Sequence, residues 1–126
     1  LKPLPGMVVT IDPDHEGALV ISDRAYNRRV AGIISGAGDV SPGMLMGQTG
    51  TVADGAYPVA LTGRVYCLAE TSGGTIEPGD LLTTSDVPGY AMKVTDYDRA
   101  QGAILGKAMT RLDEGKGQVL VLVSLQ

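Results

Sequence analysis

Apolar residues in this chain come in short runs punctuated by glycine, proline and acidic residues, and no sustained window carries helical spacing. "GMVVTI" and "GALVIS" flank the turn-rich "DPDHEG" and predict a hairpin. "RVAGIISG" predicts a third strand, and the glycine-spaced segment 36–57 a long loop with one short strand in it. "PVALTGRVYCLAE" predicts a long strand, with Gly63 marking a bulge or a close backbone approach. A second hairpin follows over 78–96, then "GAILGKAM", the acidic turn "RLDEGKG" and the closing "QVLVLVSL". That last run is apolar at consecutive positions, which predicts cover on both faces. "DYDRAQ" predicts a single turn capped by Thr95.

The same order recurs twice. "PGDLLTTSDVPGYAMKVTD" at 78–96 overlays "PGMVVTIDPDHEGALVISD" at 5–23 without a gap, retaining Pro, Gly, Thr, Ala and the final Asp. A two-residue adjustment then sets "YNRRVAGIISGA" over "YDRAQGAILGKA", pairing Tyr26 with Tyr97, Arg28 with Arg99 and Ile33 with Ile104. Each half ends in an acid-Gly turn, at 54–55 and 114–115, and a further strand. Two homologous halves that cannot each close a core interlock about a pseudo-two-fold axis. The expected fold is therefore all-β: one domain over 1–126, a compact barrel or sandwich of two duplicated hairpin units with little or no helix. In such a barrel Gly79 allows a sharp turn and the Asp80 carboxylate can accept backbone N–H groups, locking a strand entrance. The first half has Met7 at the matching place.

Composition narrows the function. With no Phe and no Trp, the core has to be aliphatic. A net charge of -4 argues against nucleic acid or an anionic membrane surface as partner. No apolar run reaches membrane-spanning length, so membrane insertion is not expected. Cys67 is the only cysteine, which leaves no disulfide within the chain and predicts a buried, inert thiol. "DPDHEG" has the acidic density of a calcium loop but not its ligand spacing, and neither metal nor cofactor is expected.

The motifs "VAGIIS", "PVALTGRV", "GDLLTTS" with "PGYA", "ILGKAM" and "GQVLVLV", taken in order over 30–126, resemble one family. That family is the self-cleaving C-terminal domain of phage neck-appendage and tail-spike proteins, similar to domains that cap bacterial fibrous surface proteins. The resemblance implies a C-terminal cap on a longer fibrous protein, at a virion, cell-surface or extracellular location. Such a cap acts as an intramolecular chaperone: it assembles as a homotrimer, sets register for its own upstream fibre segment and in some members cuts itself free. A compact trimer at one end lowers the cost of joining three slow-folding, high-contact-order stalks.

Three readings follow: a trimerising cap, a self-cleaving peptidase, and a fibre-tip module that binds a glycan or a protein. For trimer contacts the candidates are the glycine-rich loop at 38–56, with Met44, Leu45 and Met46, and the closing strand, with Val121 and Val123. That strand could equally be central to the monomer. Self-cleavage would need a nucleophile or activated water, a base and an oxyanion donor. Ser35 is the serine candidate, with no Lys or His in an evident activating position. Asp80, Glu70, Glu77 and Asp39 are the carboxylates that a paired acid-base mechanism could use. Each has a plainer reading: Ser35 a strand-end hydroxyl, Asp80 a turn lock, Glu70 and Glu77 solvated flanks of the "TSGG" turn. Tyr26, Arg28, Tyr97 and Arg99 form a corner motif suited to clamping carbonyls or carboxylates across the pseudo-axis, or to binding a sugar.

Overall fold

The computed structural model describes residues 2–38 and 57–126, with the backbone of one short strand between them. The described residues form nine strands: β1 (Val8–Ile11), β2 (Leu19–Ile21), β3 (Val30–Ile34), β4 (Met44–Leu45), β5 (Val59–Glu70), β6 (Leu81–Thr84), β7 (Ala91–Lys93), β8 (Ile104–Ala108) and β9 (Lys116–Val123). Among the described residues there is no α-helix. Strands β5, β7, β6, β8 and β9 follow one another and close, because β9 pairs back on β5 along residues 63–70. β3, β1 and β2 continue outward from the start of β5, and β4 also pairs there.

β5 can serve two partners because its chain turns at Gly63. Residues 59–60 pair with β3 and residues 63–70 pair with β9, and Gly63, where the pairing with β9 begins, has φ +81°, a conformation that a side chain would strain. Gly79 and Gly6, at φ +96° and +93°, make the same sharp turn into β6 and β1.

The duplication is real at the level of hydrogen bonds, but its alignment differs from the one drawn by residue identity. Gly6 N–H donates to Ile34 O and Ile34 N–H to Met7 O; Gly79 N–H donates to Ala108 O and Ala108 N–H to Asp80 O. Met7 and Asp80 are therefore equivalent, as the sequence overlay has it. The second strands are not in that frame: Asp12 N–H bonds Ala18 O, whereas Ser85 N–H bonds Tyr90 O, so the first turn is one residue longer and the overlay needs a gap. In the third strands Val9 pairs with Gly32 and Leu82 with Gly106, each pairing followed by a bulge. Gly32 thus matches Gly106, and Ile33 matches Lys107 rather than Ile104. Tyr26 and Tyr97 are not equivalent, nor are Arg28 and Arg99. Repeated Tyr-polar-Arg letters outweighed the glycine that geometry requires: a Cβ on Gly32 would lie 2.6 Å from Ala60 O, and one on Gly106 would lie 2.2 Å from Leu122 O.

Two aliphatic cores result. The barrel interior holds Val65, Cys67, Ala69, Leu82, Ala91, Leu105, Val119, Val121 and Val123. A second core, of Met7, Val9, Leu19, Ala31, Ile34 and Val59, lies on the other side of β1 and β3. These strands separate the two, since Val8, Val30 and Ile33 belong to the barrel core while Val9, Ala31 and Ile34 belong to the second. Consecutive apolar letters in "VV" and "VAGII" therefore mark strands covered on both faces. In β9 the same signature misleads. Its valines point inward and are buried, while Leu122 faces outward and is 45% exposed.

The halves interlock through residues 22–27, which dock on the second hairpin. Gly89 N–H donates to Ser22 O, Ala25 N–H to an Asp86 carboxylate oxygen at 2.8 Å, and Asn27 N–H to Thr84 Oγ1 at 2.8 Å. Thr84 Oγ1 in turn donates to Arg24 O at 2.7 Å.

Candidate functional site

Asp80 follows Gly79 at the start of β6, and its Oδ2 accepts the Glu77 N–H at 2.8 Å. The same oxygen lies 3.5 Å from Lys93 Nζ on β7. Met7 makes the equivalent backbone turn with Leu4 but has no acceptor to add. The carboxylate consequently ties the turn before β6 to the neighbouring strand. Glu77 itself is exposed and pairs with Arg111 at 3.1 Å, while Arg111 also bonds Asp113.

Glu70 is where the structure departs furthest from the sequence reading. It ends β5 and is buried, at 5% exposure, rather than solvated. Its Oε1 accepts the Ser72 N–H at 2.6 Å, and its Oε2 accepts the Ser72 hydroxyl at 2.7 Å and the hydroxyl of buried Ser85. Ser85 Oγ accepts Val87 N–H at 3.0 Å, so one carboxylate joins the end of β5, the turn after it and the β6–β7 hairpin. Burial pushes the Glu70 pKa up, but the Ser85 and Ser72 hydroxyls, the Ser72 N–H and the charge of Lys116 outweigh it and hold the group below the ordinary carboxylate value. The signal available in sequence was the pair of serines at 72 and 85. Only the fold brings the second of them to Glu70.

Ser35 is buried at the end of β3, and its hydroxyl donates to Pro58 O at 3.4 Å, the carbonyl that also accepts its N–H. Ser35, Glu70 and Asp80 are thus each engaged by local partners, and no hydrogen bond joins any two of them. Asp39 lies outside the described residues, as do Met46 and the side chains of Met44 and Leu45.

The corner motif assembles in part. Tyr26 has φ +54°, and its hydroxyl accepts the N–H groups of Thr95 at 3.1 Å and Asp96 at 3.0 Å. The Arg99 guanidinium stacks over its ring at 4.5 Å. Burial raises the phenol pKa, while the Thr95 hydroxyl and the two N–H groups lower it, for a net decrease. Arg28 and Tyr97 do not join: both are exposed, Tyr97 at 65%. Thr95 is engaged by Tyr26, and the turn at 97–102 is capped instead by Asp96, whose Oδ1 accepts Arg99 N–H at 3.2 Å.

Val121 and Val123 point into the barrel core and are 0% and 4% exposed, which corrects the expectation that they form a subunit contact. Alternation gives the outward positions of β9 to Leu120 and Leu122. By register Leu120 lies between Tyr66 on β5 and Met109 just past β8, and Leu122 between Arg64 and Lys107. Met109 is 39% exposed, so this outer face presents Met109, Leu120 and Leu122 with two cations at its margin.

Cys67 is fully buried and its thiol pKa is driven up by desolvation, consistent with an inert side chain. His15 bonds Asp12 at 3.0 Å in the first turn. Among the described residues no cluster of His, Cys, Asp and Glu could hold a metal ion, and no helix is long and apolar enough to cross a membrane. Comparison of the chain with protein-family models, with curated proteins and with solved structures finds no match.

Proposed function

We propose that this domain is a homotrimeric cap that sets register and assembly of a β-structured fibre, the intramolecular-chaperone role carried by the family whose motifs it resembles. The observation that carries the reading is the outer face of β8 and β9. A strand whose inner face is already sealed by Val119, Val121 and Val123 gains nothing in the monomer from Leu122 at 45% exposure. Large apolar side chains grouped on one sheet face and edged by Arg64 and Lys107 are the composition of an interface core with a polar rim. The closed barrel behind this face is a rigid platform of the kind such a contact needs.

Self-cleavage receives less support, because Ser35, Glu70 and Asp80 are separately engaged. Glycan binding through the corner is also weakened, since the Tyr26 hydroxyl is occupied by backbone N–H groups. Sedimentation equilibrium at micromolar concentration tests the proposal. The expected species has three times the 13.0 kDa chain mass, and a monomer throughout the range would refute it.

A further inference from the structure

β2 stands at the end of the sheet, and among the described residues it pairs only with β1. The phase of that pairing is fixed by its two ends, where Asp12 N–H donates to Ala18 O at 2.9 Å and Ser22 N–H to Val8 O at 3.0 Å. In an antiparallel ladder the bonded pairs alternate, so Ala18, Val20 and Ser22 bond inward, while the N–H and C=O groups of Leu19 and Ile21 face away from β1. Among the described residues nothing bonds them.

Two clefts border this edge. One, of about 390 Å³, is lined by Pro3, Pro88 and residues 19–23. Ser22 forms part of its wall, and the Ser22 hydroxyl is buried with no hydrogen-bond partner among the described residues. The other, of about 440 Å³, runs past Ile11, which is 49% exposed, to Asp12, Asp14 and Asp23. Arg24 and Arg29 line that cleft too. Carboxylates therefore stand at both ends of β2: Asp14 and Glu16 in the turn before it, and Asp23 after it. None of these three is in an ion pair among the described residues.

We propose that β2 receives an extended peptide strand from a partner protein, apolar at its centre and basic at its ends, by strand addition. Backbone bonds to Leu19 and Ile21 supply the attachment, and alternate side chains of the incoming strand enter the flanking clefts. A second copy of this chain is the competing occupant: antiparallel pairing of β2 with itself about Val20 would set Asp23 of one copy against Gly17 of the other, and Arg24 against Glu16. The unpaired carboxylates of Asp14, Glu16 and Asp23 favour a basic partner strand over a second copy of a chain whose net charge is -4. This site is independent of the trimer face, which lies on β8 and β9.

The probe is a capped Lys-Val-Thr-Val-Lys peptide, tested by calorimetry and by amide hydrogen exchange on the whole chain. Binding should protect the amides of Leu19 and Ile21 and leave that of Val20, already bonded, unchanged. A peptide with Glu in place of Lys should bind about tenfold more weakly at low salt, and one N-methylated on the nitrogens that face the edge should not bind. Ile21→Pro removes an outward N–H that bonds nothing in the domain, and should abolish binding while the domain still folds. Unprotected Leu19 and Ile21 amides at saturation, equal binding of the N-methylated or the Glu peptide, or concentration-dependent self-protection of those amides would each overturn the proposal. The peptide arms decide the matter even where Ile21→Pro does not fold.

Discussion

Two carboxylates illustrate how a single residue acquires its role. Asp80 and Glu70 read alike in sequence, as acids beside glycine-rich turns, yet one is a local lock and the other a buried junction. Asp80 was legible because its acceptor role needs only the Glu77 N–H three residues back. Replacing Asp80 by Ala should lower stability by about 1 kcal/mol, whereas Asp80→Asn, which keeps an oxygen acceptor, should cost less; thermal melts of the two variants check this. Glu70 was not legible, because Ser85 reaches it only after the second hairpin folds back on β5. Its folded pKa lies below the ordinary glutamate value, so its stabilisation is complete above the unfolded pKa and is lost as pH falls through the depressed folded value. Glu70→Gln should therefore destabilise the domain by about 2 kcal/mol at neutral pH, and the gap to wild type should narrow below about pH 4.5. Denaturant titrations at several pH values measure it, and a gap constant down to acid pH would contradict the assignment.

At the scale of elements, the strands and both hairpins were readable because short apolar runs between turn residues leave few alternatives. Identical letters do not mark the equivalent positions of the two halves. Tyrosine and arginine at a corner are free to drift, whereas the glycine opposite a bulge is fixed by distance, and Gly106 rather than Tyr97 identifies the second copy of β3. Adding a methyl group there tests the alignment. Gly106→Ala would put Cβ 2.2 Å from the Leu122 carbonyl oxygen, and overpacking of this kind should cost about 3 kcal/mol. Gly32→Ala should cost at least as much, since its Cβ would lie 2.6 Å from the equivalent carbonyl of Ala60 and its backbone has φ +157°. Gly115→Ala, with open space around its Cβ position but φ +87°, separates backbone strain from collision. Consecutive apolar letters likewise needed the topology: they mean burial on two faces in β1 and β3, and burial on one face in β9.

Across the whole molecule, the β5–β9 pairing closes a barrel of β5, β7, β6, β8 and β9, and β3, β1 and β2 form an outer layer that ends at β2 among the described residues. The all-β class and the duplicated plan were visible in sequence. The partition into inner and outer strands was not, because it depends on β5 turning at Gly63 to pair with both β3 and β9. The same partition moves the interface candidate from the valines of β9 to its leucines. Leu122→Glu is the sharpest probe of that shift, since a carboxylate placed between Arg64 and Lys107 suits the monomer surface and is incompatible with an apolar contact between subunits. The deciding measurement is sedimentation equilibrium of wild type beside Leu122→Glu, with circular dichroism to verify that both are folded. Wild type should sediment as a trimer of three 13.0 kDa chains and the variant as a folded monomer; a wild-type monomer, or a variant that remains trimeric, would refute the trimeric cap.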